Sequence, residues 1–299
     1  MAKPLQLLAF LFLLLTGTVA QAAPRCTLTG DARVVVGDRS VLLHLPRGQA
    51  SATPAPLVIL LHGSGSTGAS MLRDSKLVET SDRHGFVVAA PDAGIPHDRG
   101  FVWNIPGVPT VAGTIPGPDA PDDVKFMGAL IDQLAKAGCA DPARVYATGL
   151  SGGGRMTSWL GCVAADRFAA IAPVVGLRAG NPLATDPGRP DPATCRPSRP
   201  LPVIAFAGDA DTTNPIQGGG APYWSYTMHA AEQRWAQLNG CATTRPTLWV
   251  SASVYEEGYA DCRDGAEVVG RITRDGGHSW VADNEAMWAF FAARSRPQN

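Results

Sequence analysis

Residues 145–154 read VYATGLSGGG, a β-branched and aromatic run that ends in a G-x-S-x-G box. A helix-compatible segment, 155–162, follows. This order predicts a nucleophile elbow, in which a strand turns sharply into a helix and presents the hydroxyl of Ser151 above the sheet. Such a turn brings neighbouring chain so close that Gly149 and Gly153 have no room for side chains. The alternative is a glycine-rich turn that holds a serine by chance, since the chain has 33 glycines.

The composition is that of a folded protein of 299 residues with a sizeable core. Hydrophobic residues make up 45% of the chain and charged residues 17%, which excludes a disordered protein. The formal net charge is −1, and the sequence has no basic run. Nucleic acid and anionic membrane surfaces are therefore not expected as partners.

The N-terminus is typical of a secretory signal peptide over residues 1–22. Lys3 precedes an apolar run, 7–15, and a small-x-small cleavage site follows at residues 20–22. The alternative is a membrane anchor, but the apolar run is shorter than the about 20 residues needed to span a bilayer. We expect one catalytic domain over 23–299, secreted to the periplasm or the medium, with no membrane contact after cleavage.

Six cysteines, an even number, predict disulfides in an exported protein. No C-x-x-C pair or Cys/His cluster has the spacing of a zinc site, so no metal is expected. Many pairings are possible; the preferred set starts from two cysteines that flank a strand region. The predicted pairs are Cys241–Cys262, Cys162–Cys195 and Cys26–Cys139.

Apolar runs and helical periodicity alternate along the chain, which predicts an α/β fold: a mostly parallel central sheet with helices on both faces. The predicted strands are 33–36, 40–45, 57–61, 86–90, 145–148, 169–175, 201–207, 247–254 and 266–272. The predicted helices are 71–80, one that begins at 122–123 and ends at Gly138, 155–162, 223–238 and 284–294. A Gly- and Pro-rich segment, 93–121, is too long for a simple connection and is expected to cover a cleft.

Three residues of complementary chemistry follow predicted strands, in the order Ser151, Asp211, His278. This is the triad order of the α/β-hydrolase fold. A serine hydroxyl needs a base to take its proton, an imidazole titrates near neutral pH, and a carboxylate orients the imidazole. Each residue also has a structural alternative: a turn serine, an Asx-turn former and a loop histidine. Asp209 competes with Asp211 for the role of the acid.

An oxyanion formed at the substrate needs two fixed donors. One is the N–H of Gly152, the residue after the nucleophile. The second is expected from the loop His62-Gly63-Ser64, where the N–H of Ser64 is the best placed. His62 itself is expected to organise this loop rather than to transfer protons.

Several blocks resemble the secreted esterases of the polyhydroxybutyrate depolymerase and feruloyl esterase family. They include 61–63 (LHG), 103–104 (WN), 141–146 (DPARVY), 207–211 (AGDAD) and 276–280 (GGHSW). The resemblance covers nearly the whole mature chain. It implies that Ser151, Asp211 and His278 are the catalytic triad and favours Asp211 over Asp209. The family commonly has Asn or Ala where this chain has Gly152.

The predicted function is therefore a serine carboxylic-ester hydrolase that needs no cofactor. Its partner is a small or polymeric ester, of a hydroxyalkanoate or of ferulic acid, and Trp103 and Trp280 either wall the acyl pocket or pack in the core. One alternative is a peptidase of the same fold, which an assay of peptides against esters distinguishes. Another is a silent binding protein, which a fluorophosphonate probe would not label. The sequence leaves the oligomeric state open.

Overall fold

The computed structural model describes residues 25–47 and 53–297, so the predicted signal peptide lies outside the described residues. The strands are β1 (Asp31–Val36), β2 (Arg39–His44), β3 (Ala55–Leu61), β4 (Val87–Pro91), β5 (Ile95–His97), β6 (Gly100–Val102), β7 (Ala140–Leu150), β8 (Ala170–Val174), β9 (Pro182–Leu183), β10 (Asp186–Pro190), β11 (Val203–Gly208), β12 (Thr243–Trp249), β13 (Val254–Ala260) and β14 (Val268–Thr273). The helices are α1 (Gly68–Ser75), α2 (Leu77–His84), α3 (Asp123–Lys136), α4 (Gly152–Val163), α5 (Met228–Asn239) and α6 (Asn284–Ala292).

Ten strands form one sheet in the order β1-β2-β4-β3-β7-β8-β11-β14-β13-β12. The six central strands, from β4 to β14, run parallel, and the two strands at each edge are antiparallel to their neighbours. The mostly parallel sheet predicted from the sequence is confirmed. In such a sheet the carboxyl ends of the central strands meet at one edge, where functional groups collect.

Each face of the sheet has its own core, because successive side chains of a buried strand point to opposite faces. In β3, Leu57, Ile59 and Leu61 belong to the core on the side of the sheet that α3, α4 and α5 cover. Val58 and Leu60 pack on the other face, with α1, α2 and α6. The continuous apolar run of the sequence is therefore explained by helices on both sides. None of the helices in the described ranges has the length and apolar character needed to cross a bilayer.

At the elbow, the end of β7 and the start of α4 lie in close backbone contact with the neighbouring strand β3. A Cβ on Gly149 would lie 2.7 Å from both the Cβ and the carbonyl oxygen of Leu61, and one on Gly153 would lie 2.6 Å from the carbonyl carbon of Leu61. Gly154 is equally confined, since its Cβ would lie 2.6 Å from the carbonyl oxygen of Val174. Glycine at these positions lets α4 begin directly above β3 and β8.

The Gly- and Pro-rich segment 93–121 contains the short β5–β6 hairpin and is fixed by the buried carboxylate of Asp123. That carboxylate accepts hydrogen bonds from the N–H of Gly94, 3.0 Å, and of Asn104, 2.8 Å. Arg39 donates to it at 2.7 Å and offsets its charge. Burial raises the pKa of Asp123, while Arg39 acts to lower it. The first turn of α3 therefore holds the covering segment at two points.

Three disulfides join Cys26 to Cys139, Cys162 to Cys195 and Cys241 to Cys262, the same pairs as in the predicted set. The Cys162–Cys195 bond ties the irregular segment after β8 to α4. The Cys241–Cys262 bond closes the base of the β12–β13 hairpin. All six cysteines are used, which indicates an oxidising compartment.

Three predicted elements were wrong in detail. The helix predicted at 223–238 begins only at Met228, where the Thr227 side chain caps it. The helix predicted at 71–80 is two helices, because Lys76 adopts a left-handed conformation with φ of 54° between α1 and α2. The strand predicted at 247–254 is the tip of the β12–β13 hairpin. There the hydroxyl of Ser251 accepts hydrogen bonds from the N–H of Ser253 and of Val254, so the chain reverses without glycine or proline.

We predict that Gly153→Ala destabilises the protein by about 3 kcal/mol or more, because its methyl group would overlap the Leu61 backbone. The matched control is Gly128→Ala in the middle of α3, where a Cβ meets nothing within 4 Å. This control should stabilise the protein by about 0.5–1 kcal/mol. Urea unfolding followed by circular dichroism measures both changes. Equal effects of the two substitutions would contradict the account of the elbow.

Candidate active site

Ser151 lies between β7 and α4, in the strained backbone geometry expected of an elbow. Its φ is 55° and its ψ is −110°, an unfavourable combination for a residue with a side chain. Its N–H donates to the carbonyl of Val174 at 2.9 Å, and its carbonyl accepts from the N–H of Arg155 at 2.9 Å. These bonds and the glycine contacts hold the hydroxyl at the carboxyl edge of the sheet.

The structure brings the three predicted triad residues together in one chain of hydrogen bonds. His278 Nε2 lies 2.8 Å from Ser151 Oγ. His278 Nδ1 lies 2.8 Å from Asp211 Oδ2. Ser151 lies 127 positions before His278 along the chain and Asp211 lies 67 positions before it. The parallel sheet brings the three residues side by side. This arrangement allows the imidazole to take the serine proton while the carboxylate orients the ring.

The geometry separates Asp211 from Asp209. Asp211 is buried, and its Oδ1 accepts hydrogen bonds from the N–H groups of Thr213, 2.8 Å, and Asn214, 2.9 Å, which leaves Oδ2 for the histidine. Asp209 instead accepts a hydrogen bond from the N–H of Asp275 at 2.7 Å. Asp209 therefore fixes the loop before the histidine, and Asp211 contacts the ring.

The two predicted oxyanion donors lie next to each other. A Cβ on Gly152 would lie 2.9 Å from the backbone nitrogen of Ser64 and would overlap the Ser64 hydroxyl. Glycine at position 152 is thus required by the close approach of Ser64. As the first residue of α4, Gly152 has an N–H without a partner inside the helix. Both N–H groups are therefore positioned to serve one oxygen atom beside Ser151.

His62 organises the loop that carries Ser64. Its Nε2 accepts a hydrogen bond from the N–H of Ala93 at 3.0 Å, and its Nδ1 lies 2.7 Å from the carbonyl of Gly63, so Nδ1 carries the proton. Burial lowers the pKa of His62, which keeps the ring neutral. The Trp103 ring lies 4.8 Å from the His62 ring, and its indole N–H donates to the His62 carbonyl at 2.8 Å.

The two predicted pocket tryptophans differ in their surroundings. Trp103 is buried and lines a small cavity together with Ser64, Ile105 and Gly152. Trp280 is half-buried against the core on the α6 side of the sheet, and its indole N–H donates to the Asn284 side chain at 2.9 Å. The contacts of Trp280 are those of a packing residue, whereas Trp103 lies beside the two predicted oxyanion donors.

Two buried arginines that were not predicted from the sequence lie near the predicted oxyanion donors. Arg155 lies 3.4 Å from the Ser64 hydroxyl and stacks on Tyr223, and Arg178 stacks on Trp224. Both line a small cavity that adjoins the one at Ser64. No carboxylate in the described part of the chain forms an ion pair with either guanidinium, and burial lowers the pKa of each to about 10. The sequence signal that could have identified Arg155 is its position one helical turn after Ser151.

Comparison with known proteins agrees with this geometry. Residues 39–186 match the family model described as Esterase PHB depolymerase. The chain is 30% identical to feruloyl esterase B of Piromyces equi over 265 residues, 87% of this chain and 46% of that protein. It is 32% identical to poly(3-hydroxyalkanoate) depolymerase C of Paucimonas lemoignei over 142 residues, 47% of this chain and 32% of that protein. The chain thus spans about half the length of the first of these relatives, and less of the second.

Among solved structures, an acetyl xylan esterase from Aspergillus awamori superposes with a TM-score of 0.62 at 16% identity. The superposition covers 88% of this chain and 99% of that structure, which shows a shared fold. The α/β-hydrolase fold predicted from the order of the three residues is confirmed. By its match to the family model over residues 39–186 and its 30% identity to a feruloyl esterase, the chain belongs to the Esterase PHB depolymerase family.

Proposed function

We propose that the protein hydrolyses carboxylic esters through an acyl-enzyme formed on Ser151. The observation that carries the proposal is the hydrogen-bond chain from Asp211 through His278 to Ser151, with both distances at 2.8 Å. The arrangement satisfies the geometric requirement for an activated serine nucleophile. The family membership of the chain supports the same reaction class.

The reaction follows from the roles of these side chains. His278 Nε2 takes the Ser151 proton as the oxygen attacks the ester carbonyl, and Asp211 stabilises the imidazolium that forms. The imidazolium then protonates the leaving alcohol as the tetrahedral intermediate collapses. Water, activated by the same imidazole, attacks the acyl-enzyme, and the acid is released as Ser151 regains its proton. No metal or cofactor takes part in these steps.

The N–H groups of Ser64 and Gly152 stabilise the negative charge on the carbonyl oxygen in this proposal. Arg155 supports them in two ways: it holds the Ser64 hydroxyl, and its buried, uncompensated charge favours an anion nearby. A buried guanidinium interacts strongly with charge that develops close to it, because little water screens the interaction.

The same arginines bear on the choice between the two substrate classes. Short hydroxyalkanoate oligomers carry a terminal carboxylate, whereas simple feruloyl esters are neutral at that position. The cavity lined by Arg155 and Arg178 offers two guanidinium groups without a protein carboxylate. We propose that it receives the carboxylate of a hydroxyalkanoate oligomer. Trp103 forms the wall of the acyl site in this proposal. The second candidate substrate is an ester with an aromatic acyl group, which would pack against the Trp103 ring.

The proposed location is outside the cytoplasm, in the periplasm or the medium. The three disulfides support an oxidising compartment. A signal peptide over 1–22 and a single catalytic domain over 23–299 complete the proposal, with an ester as the partner.

We predict that Asp211→Asn lowers kcat on p-nitrophenyl acetate about 10⁴-fold, because an amide no longer holds the imidazole in the productive tautomer. The matched control is Asp209→Asn, whose side-chain oxygen still accepts the hydrogen bond from the Asp275 N–H. This control should stay within about threefold of the wild type, a change of less than about 1 kcal/mol in the barrier. Steady-state kinetics on both variants, each checked for folding by thermal melting, decides between the two acids. Comparable losses in both variants would remove the basis for assigning Asp211.

We also predict that a 3-hydroxybutyrate oligomer with a free carboxylate has a kcat/KM about 10- to 100-fold above that of its methyl ester, as one charge-assisted hydrogen-bonded pair is worth about 1.5–3 kcal/mol. Arg178→Met should abolish this difference while it preserves turnover of p-nitrophenyl acetate. Methyl ferulate and acetylated xylose complete the panel. A preference for methyl ferulate, with equal rates for the acid and its methyl ester, would establish the feruloyl class instead.

A further inference from the structure

A second group of chemically active side chains lies on α5 and β13, separate from the triad. His229 and Glu232 are three positions apart on α5, so they lie on the same face of the helix. Glu257 lies on β13, where it pairs with Gly270 of β14. One ligand atom from each of the three residues lies within 4.8 Å of the other two. Helix and sheet therefore bring one imidazole and two carboxylates together.

The neighbouring strand makes room for this group. A Cβ on Gly270 would overlap Oε1 of Glu232, so the carboxylate occupies the space that any other residue would fill with its side chain. Residues paired across two strands point to the same face, so Glu257 faces α5 as the backbone of Gly270 does. The Glu232 side chain is thus inserted between α5 and β14, at the point where Gly270 has no side chain.

Glu232 is fully buried, at 0% exposure, and neither of its carboxylate oxygens accepts a hydrogen bond. His229 Nδ1 lies 3.8 Å from Oε2 and is itself exposed. Within residues 25–47 and 53–297, no arginine or lysine forms an ion pair with Glu232 or Glu257. A buried carboxylate whose nearest partner is one exposed imidazole at 3.8 Å is poorly stabilised in its charged form.

The pKa values express the same imbalance. Burial raises the pKa of Glu232 to about 7, and the charge of Glu257 raises it further against the influence of His229. A metal cation at the same place would neutralise both carboxylates.

We propose that His229 Nδ1 and one oxygen each of Glu232 and Glu257 bind a divalent transition-metal ion, with Zn²⁺ preferred. An imidazole with two carboxylates is a donor set that Zn²⁺ accepts, with a water molecule as the fourth ligand. The exposed side of His229 provides the entry path. The ion would join α5 to β13 and so stabilise the fold rather than take part in ester hydrolysis.

Gln233 lies beside the ring nitrogen of His229 that faces away from the carboxylates. Its amide nitrogen lies 3.1 Å from His229 Nε2. With the amide turned over, the carbonyl oxygen accepts the proton of Nε2, which leaves Nδ1 free for the metal.

The test uses the whole mature protein after dialysis against EDTA. Calorimetric titration with ZnCl₂ should show one saturable site, and the midpoint of thermal unfolding should rise with the concentration of free zinc. His229→Ala and Glu257→Gln should each lower the affinity for zinc by more than about 100-fold. Loss of a group that only hydrogen-bonds to a metal ligand costs about 10- to 100-fold. Glu232→Gln should abolish the response to zinc and raise the stability of the metal-free protein.

The matched control is His84→Ala, which removes a histidine that lies 2.7 Å from Glu285 at the contact of α2 and α6. This variant should bind zinc as the wild type does. The proposal is overturned if the wild type shows no saturable site, or if zinc stabilises the wild type, His229→Ala and Glu257→Gln equally. In the first case the three residues share a proton only. Both outcomes can be read without an assay of esterase activity.

Discussion

The active-site geometry depends on the contact between the backbone of β3 and the start of α4. Because Gly149 and Gly153 have no side chains, the end of β7 and the first turn of α4 lie against Leu61. This contact forces Ser151 to a φ of 55°, a conformation that costs about 1–3 kcal/mol and that the surrounding packing compensates. It also places the loop after β3 beside Ser151. One steric constraint thus positions both the Ser151 hydroxyl and the two N–H groups proposed to stabilise the oxyanion.

Buried charges then hold the loops around this elbow. Asp211 is fixed by two backbone N–H groups, and Asp123 fixes the covering segment through two more. Arg155 secures the Ser64 side chain from the opposite side. Each of these groups is removed from water, so its interactions are stronger and its position better defined than on the surface. The rigid sheet therefore presents the reacting groups with little need for rearrangement.

The sequence predicted the sheet, the elbow and the three residues that meet at it, because apolar runs and motif order are local signals. It did not predict the break at Lys76, where the Asn284 side chain donates to the carbonyl of Ser75 from 209 positions away. The β12–β13 turn was missed because a serine, rather than glycine or proline, makes it. The lack of a carboxylate partner at Arg155 and the burial of Glu232 depend on what surrounds each residue in space, which no local pattern encodes.

The most direct measurement is the reaction of the protein with a fluorophosphonate probe, followed by peptide mapping with mass spectrometry. A serine activated by His278 should form one adduct per chain, on the peptide that contains Ser151, with complete loss of esterase activity. In His278→Ala, labelling of the same peptide should slow by several orders of magnitude. A folded wild-type protein that stays unlabelled, or that loses activity through an adduct on another serine, would contradict the assignment of Ser151 as the nucleophile.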